Sequence, residues 1–121
     1  MSPLALDHVQ LAIPAGGEDE ARAFWCGLLG LEEQAKPPEL AARGGLWLRL
    51  AGGIGLHLGV DPGFRPATRA HPGLAVADFD ALIARLAAAG IGPPVDRDHA
   101  GRRRAWLADP FGNRIELVAA G

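Results

Sequence analysis

The sequence predicts an α+β fold built from two similar halves, and two observations support this prediction. Each half begins with a strand pattern, continues with an amphipathic helix pattern, and then shows two or three further strand patterns. The halves also share a spacing, because Trp47 precedes His57 by ten residues and Trp106 precedes Glu116 by ten residues. A repeated order with a repeated spacing indicates two copies of one structural module.

The first half contains one helix pattern among several strand patterns. Residues 5–13 alternate between apolar and polar side chains, which is typical of a half-buried strand. Residues 18–30 have acidic side chains in the first turn and apolar side chains at helical spacing, and Gly30 is expected to end this helix. Residues 46–60 predict a β-hairpin, and a short strand is expected near residues 31–34.

The second half repeats this order. Residues 70–78 predict a strand, and Asp78 is a suitable N-cap for a helix whose apolar residues recur at helical spacing. Gly90 is expected to end that helix. The remaining predicted strands are residues 94–97, 102–107 and 114–120.

The length and the loop composition predict how the chain is organised. A chain of 121 residues is long enough for one domain with a hydrophobic core, so residues 1–121 are expected to form a single domain. Its modules are predicted at approximately residues 1–60 and 69–121, joined by a proline-rich linker at residues 61–68.

The composition excludes several classes of function. The formal net charge is −2 with no basic block, which argues against nucleic acid as a partner and against an anionic membrane surface. No apolar run is long enough to span a membrane. The single cysteine, Cys26, excludes an internal disulfide and favours a cytoplasmic location.

Four residues of metal-ligand type fall at equivalent places in the two halves. Strand parity puts their side chains opposite the bulky apolar residues, next to small neighbours. They are His8, His57, His71 and Glu116. Three imidazoles and one carboxylate suit Fe, Ni, Zn, Co or Mn, and two imidazoles with one carboxylate suit a facial triad. The alternative is that they are unrelated polar residues on a solvated sheet face.

Four further residues are predicted on the same side of the sheet. By parity, Trp47, Arg49, Arg104 and Trp106 share the face of the metal-ligand candidates. Two indoles and two guanidiniums suit a flat or anionic organic ligand, so these residues are the predicted substrate-binding set. The alternative is that they pack at the rim of a dimer surface.

Several stretches of the chain resemble one known family. The order DHVQLAI, GLHLGV, HPGLAVADFDAL and DPFGNRIEL resembles the vicinal oxygen chelate superfamily of glyoxalases, bleomycin resistance proteins and extradiol dioxygenases. The resemblance covers nearly the whole chain, and DPFGNRIEL is its most specific part. It implies paired βαβββ modules that form a cupped mixed sheet with the helices outside, and a homodimer. It also implies a divalent metal ion held by His8, His57, His71 and Glu116.

The resemblance implies a glyoxalase-like metalloprotein that acts on a small organic substrate chelated through vicinal oxygens. Such a lyase or isomerase needs a base, and Glu116 or His57 is the catalytic candidate. Glyoxalase I enzymes usually carry glutamate at the position of His57, so this chain departs from their pattern. The alternatives are a metal-free small-molecule binding or resistance protein of the same fold, and an Fe(II)-dependent dioxygenase, although the chain lacks the tyrosine that such dioxygenases use.

Overall fold

Both halves of the chain fold with the order of elements that the sequence predicts. The computed structural model describes every residue from Met1 to Gly121, and these residues form two units, Met1–Arg65 and Pro66–Gly121. Each unit contains one four-stranded mixed sheet and one main helical region. The α+β fold class with two βαβββ modules is therefore confirmed. No helix is long and apolar enough to cross a membrane.

Unit 1 has four strands in the order β1-β4-β3-β2 across its sheet. β1 runs parallel to β4, and the other neighbouring strands are antiparallel. The strands are β1 (His8–Ile13), β2 (Glu32–Gln34), β3 (Leu46–Arg49) and β4 (Gly55–Val60). The helical segments are α1 (Glu18–Arg22), a π-helical turn (Ala23–Leu28) and α2 (Pro38–Ala41).

Unit 2 repeats this topology with the strand order β5-β8-β7-β6. β5 runs parallel to β8, and the other neighbouring strands are antiparallel. The elements are β5 (Gly73–Val76), α3 (Phe79–Ala88), β6 (Val95–Arg97), β7 (Arg103–Ala108) and β8 (Arg114–Ala119). The Asp78 side chain caps α3 by accepting a hydrogen bond from the Ala81 amide, as predicted for that residue.

The registers of the two sheets match at the positions that carry the predicted site. Trp47 lies opposite His57 on neighbouring antiparallel strands, and Trp106 lies opposite Glu116 in the same way. Paired residues on neighbouring strands point to the same face of a sheet. The ten-residue spacing in the sequence therefore corresponds to one hairpin geometry that occurs twice.

The pairing of the first strand with the last strand also has the same register in the two units. Gln10 lies opposite His57 in unit 1, and Gly73 lies opposite Glu116 in unit 2. In each unit a histidine stands two positions before this pair. These histidines are His8 and His71.

In each unit, the helical region contacts the face of the sheet that is turned to the core. In unit 1, Arg22 of α1 binds Glu33 on β2, and in unit 2 the Arg103 guanidinium lies 4.9 Å from the centre of the Phe79 ring at the start of α3. Arg103 also forms an ion pair with Asp80 at 2.5 Å. The side chains that alternate with this face are the ones that form the candidate site. The largest fully buried side chains are Trp25, Ile13, Leu48, Leu56, Leu58, Leu86, Ile115 and Leu117.

Three local features differ from the sequence-based expectation. The first predicted helix continues as a π-helical turn, with the Leu29 amide bonded to the Phe24 carbonyl, before Gly30 ends it at φ 80°. The short helix α2 lies between two predicted strands, in a stretch for which the sequence predicted no helix. The first strand of unit 2 begins only at Gly73, so His71 precedes the strand rather than lying on it, because Pro72 has no N–H for a strand ladder.

Candidate functional site

Three aromatic rings stack across the sheet of unit 1. The His57 ring lies against His8 on one neighbouring strand, with centroids 4.5 Å apart and planes 16° apart. It lies against Trp47 on the other neighbouring strand, with centroids 4.7 Å apart and planes 9° apart. Because β4 lies between β1 and β3, His57 occupies the middle of the stack. His57 lies between the buried Leu56 and Leu58 along β4, so its side chain points away from the core.

An open groove of about 810 Å³ lies along this face of unit 1. Its lining includes all three stacked rings and the segment that carries α2. The charged lining residues are Asp7, Lys36, Arg43 and Arg49. The volume is in the range of small-molecule sites, which is about 300–1,000 Å³.

His57 is held in its neutral form by its surroundings. Burial lowers its pKa, and the neighbouring His8 side chain lowers it further. Room for the ring comes from Gly55, where an added Cβ would lie 3.2 Å from His57 Nε2 and 3.1 Å from His8 Cβ. A larger residue at position 55 would push against both histidine side chains, so the small residue leaves them room.

The ring of His8 is oriented by the residue before it. His8 Nδ1 lies 2.7 Å from Asp7 Oδ1. A carboxylate only accepts hydrogen bonds, so Nδ1 carries the hydrogen of the neutral imidazole and Nε2 keeps its lone pair. A histidine that donates one ring N–H to an oxygen and offers the other nitrogen is the usual form of a metal ligand.

His71 of unit 2 has the same arrangement with a different acceptor. Its Nδ1 lies 2.8 Å from the Arg69 carbonyl oxygen, which can only accept. Nε2 of the neutral His71 ring is therefore also the nitrogen with a free lone pair. The ring contacts Trp106 edge to face, with centroids 4.7 Å apart and planes at 74°. The two equivalent histidines thus present the same nitrogen.

Glu116 lies on the same face of unit 2 and is largely shielded, with its side chain 20% exposed. An added Cβ at Gly73 would lie 3.5 Å from Glu116 Oε1, which is an ordinary van der Waals distance and shows how closely the carboxylate approaches β5. Arg104 is a weak partner, with its Nη1 3.8 Å from Glu116 Oε2. One oxygen of the carboxylate therefore has only a distant cation beside it.

The guanidinium of Arg104 is already engaged by a residue that the sequence reasoning missed. Asp96 accepts two hydrogen bonds from Arg104, both at 2.9 Å, and this contact lowers the pKa of Asp96. Arg104 and Arg114 also lie over the Trp106 ring, at 5.4 and 4.1 Å from its centre. Asp96 sits opposite Arg104 in the register of β6 and β7, but the strand pattern there was too weak to reveal it.

The stacking of His8 and His57 limits which of the four predicted ligands can bind one ion. The lone pair of an imidazole nitrogen lies in the plane of the ring, so two nearly parallel stacked rings cannot both aim at one ion. His8 and His57 are stacked in this way. For His57 to serve as a ligand beside His8, it must first leave the stack. Neither unit by itself contains a group of three or more His, Cys, Asp or Glu side chains placed to hold a metal ion.

Comparison with known proteins identifies similar chains. A family described as a glyoxalase-like domain matches residues 10–118. No curated protein matches the chain. A solved structure of a candidate glyoxalase family protein from Bacillus anthracis is 41% identical, with a TM-score of 0.88 over 100% of this chain and 98% of that chain.

More distant structures are similar in fold alone. Lactoylglutathione lyase from Agrobacterium tumefaciens is 22% identical, with a TM-score of 0.72 over 98% of this chain and 96% of that chain. A fosfomycin resistance protein from Listeria monocytogenes is 18% identical, with a TM-score of 0.74 over 100% of this chain and 95% of that chain.

Proposed function

The chain belongs to the glyoxalase-like family of the vicinal oxygen chelate superfamily, and on this basis we propose that it is a metal-dependent lyase or isomerase. Its substrate is a small organic molecule that presents two neighbouring oxygens. The proposed ligands of the divalent ion are His8, His71 and Glu116. The observation that carries the proposal is that His8 and His71 stand at equivalent positions and each leave Nε2 with its lone pair.

Two imidazoles and one carboxylate are a donor set that suits Fe(II), Ni(II), Zn(II), Co(II) or Mn(II). Asp7 and the Arg69 carbonyl accept hydrogen bonds from Nδ1 of the two rings, which favours the ligating tautomer. Glu116 supplies the negative charge. A bound ion would polarise the carbonyl of the substrate and offset the negative charge that develops on its oxygens.

His57 is the proposed general base. Its ring is neutral because burial lowers its pKa, so it can accept a proton from a carbon next to a carbonyl. Its position in the stack fixes the ring plane, which limits the directions from which the proton can be taken. Glu116, the other catalytic candidate, serves as a ligand in this proposal.

Exchange of a carbon-bound proton tests this chemistry without knowledge of the natural substrate. Metal-loaded protein is incubated in D₂O with dihydroxyacetone, hydroxyacetone and 2-hydroxyacetophenone, and exchange next to the carbonyl is followed by NMR. Wild type is expected to accelerate exchange on at least one compound, and H57Q and E116Q are expected to lose the acceleration. H99Q is the matched control, because His99 is an exposed turn residue. No acceleration on any of the three compounds would overturn the lyase or isomerase proposal.

A metal-free small-molecule binder is the second candidate. The stack favours it, because His57 is packed between His8 and Trp47 as an aromatic wall rather than aimed at an ion. This candidate predicts ligand binding that chelator treatment leaves unchanged. Metal content and ligand binding, measured on the same preparation, separate the two functions.

A further inference from the structure

We infer that the groove of unit 1 binds the oxyanion of an aromatic organic ligand, a carboxylate or a phosphate, through Arg43 and Arg49. The inference deepens the proposed function and rests on it in one respect, since His8 and His57 line the same groove. It names the charge and the class of the ligand, which the proposed reaction leaves open.

The first argument is an excess of positive charge in the groove. Its lining contains three cationic side chains, Lys36, Arg43 and Arg49, and one carboxylate, Asp7. Asp7 is already bonded to His8. A cavity with surplus positive charge attracts anions and binds them more tightly than neutral molecules of the same shape.

The second argument is that the two guanidiniums lack acidic partners. The ion pairs of unit 1 are made by His8 and Arg22, and neither Arg43 nor Arg49 has a carboxylate within 4.0 Å. Both residues are exposed. A guanidinium without a partner can bind a carboxylate or phosphate through two parallel hydrogen bonds.

Glu32 is the carboxylate best placed to compete for Arg49. It lies opposite Arg49 in the register of β2 and β3. Its Oε1 accepts a hydrogen bond from Gln34 at 3.2 Å, and it forms no ion pair with Arg49. The negative charge of Glu32 therefore reduces the positive electrostatic potential at Arg49, but Glu32 does not accept hydrogen bonds from its guanidinium.

On the equivalent face of unit 2, by contrast, the guanidinium of Arg104 has a carboxylate partner. Asp96 binds Arg104 through two hydrogen bonds, and the Arg104 side chain is only 24% exposed. Arg104 was predicted to bind substrate together with Arg49, but its Nε and Nη2 already donate to Asp96, whereas Arg49 has no carboxylate partner. Of these two arginines, we therefore expect Arg49 to be the one that binds an anionic ligand.

The aromatic part of the ligand follows from the stack. Both faces of the His57 ring are covered, by His8 and by Trp47, so the ring can offer only its edge to a bound molecule. Aromatic edges carry positive partial charge and pack well against the π face of another ring. A ligand ring with an attached oxyanion would match this edge and the neighbouring guanidiniums together.

Calorimetric titration of chelator-treated, metal-free protein tests the inference with four probes that share one phenyl ring. Benzoate and phenyl phosphate carry the oxyanion, benzyl alcohol is neutral, and benzylamine is cationic. The two anions are expected to bind at least about tenfold more tightly than the alcohol, with an affinity that falls as salt is added. The stronger of the two anions distinguishes a carboxylate ligand from a phosphate ligand.

Single variants identify the residues responsible. R43Q and R49Q are each expected to weaken benzoate binding by about tenfold. E32Q is expected to strengthen it, because it removes the competing charge beside Arg49. R22Q is the matched control: it removes the same charge from unit 1, but Arg22 binds Asp19 and Glu33 on the helix side, so benzoate affinity should not change.

Two results would overturn the inference. One is equal binding of benzoate and benzyl alcohol, and the other is binding that R43Q and R49Q leave intact. Repeating the titration after metal loading separates this inference from the proposed function. Anion binding that needs the metal and ignores both arginines supports the metal proposal against this inference. Anion binding that needs Arg49 in a protein that takes up no metal supports the inference and the metal-free function.

Discussion

Trp47 and His57 lie face to face across β3 and β4, with ring centroids 4.7 Å apart and planes 9° apart. The equivalent pair in unit 2 is Trp106 and Glu116, in the same register. One position of the repeated module is therefore an imidazole in one unit and a carboxylate in the other. The two modules share strand topology and register but differ in the side chains at this position. In unit 1 the stacked rings lie beside guanidiniums without carboxylate partners, and in unit 2 the carboxylate of Glu116 is largely shielded from solvent.

The turn between β7 and β8 depends on Asp109. Its buried carboxylate accepts hydrogen bonds from the Phe111 amide at 2.9 Å, the Asn113 amide at 2.8 Å and the Asn113 side chain at 2.9 Å. D109A removes the acceptor of these three hydrogen bonds and is expected to lower the free energy of unfolding by about 3 kcal/mol. D109N keeps one accepting oxygen and should cost less. Urea unfolding of the three proteins measures both differences, and equal stability of D109A and wild type would refute this role.

Gly45 should not tolerate any side chain. Its φ is 80°, and an added Cβ would lie 2.2 Å from the backbone oxygen of Leu58. G45A is therefore expected to lower the melting temperature strongly, because backbone rather than a flexible side chain must move. G27A is the control, since no atom lies within 4 Å of a Cβ there. Thermal unfolding that ranks G45A as stable as G27A would contradict the described path of the segment before β3.

The contact between Arg22 and Glu33 should appear in the pH dependence of stability. The hydrogen bonds from Arg22, the shorter at 2.7 Å, lower the pKa of Glu33. A carboxyl whose pKa is lowered by folding stabilises the protein above its unfolded value, about 4.3, and loses this contribution as pH falls through the folded value. R22Q should therefore be less stable than wild type by about 0.2–1 kcal/mol at neutral pH. Urea unfolding at several pH values should show this gap closing in acid, and a gap independent of pH would exclude the ion pair as its cause.

The homodimer that the family resemblance implies remains a prediction. Sedimentation at micromolar concentration should give a particle of twice the 12.6 kDa chain mass. A particle of the chain mass at all concentrations would contradict the homodimer.

Patterns within single strands and hairpins predicted much of the fold. The alternation along residues 5–13 predicted β1, and the strand patterns in residues 46–60 predicted the hairpin of β3 and β4, because both follow the period of two that every strand imposes. The ten-residue spacing predicted that the module occurs twice. The capping of α3 by Asp78 was likewise readable, since the N-cap interaction is local. The π-helical turn was missed because its hydrogen bonding depends on local packing. The sequence does carry a signal for α2, because Pro38 stands at its first helical position.

The sequence predicted which residues form the candidate site, but it did not predict which side chains and main-chain groups they contact. Parity placed Trp47 and His57 on one face, yet it could not show that their rings stack. The pairing of Arg104 with Asp96 depends on the register of the weak strand β6, which the sequence left uncertain in extent. The acceptor for His71 is a backbone carbonyl, and main-chain acceptors leave no trace in a sequence.

Metal content, measured by elemental analysis of protein produced without a histidine tag, tests the proposed function most directly. After reconstitution with Fe, Ni, Co, Mn or Zn and removal of loose ions, wild type is expected to hold about one ion per chain. H8A, H71A and E116A are each expected to lose it, and H99A to keep it. Uptake should weaken below about pH 6, because imidazoles must be deprotonated to bind. Wild type that takes up none of these metals at any pH from neutral upward, or ligand variants that retain them as wild type does, would contradict the proposal.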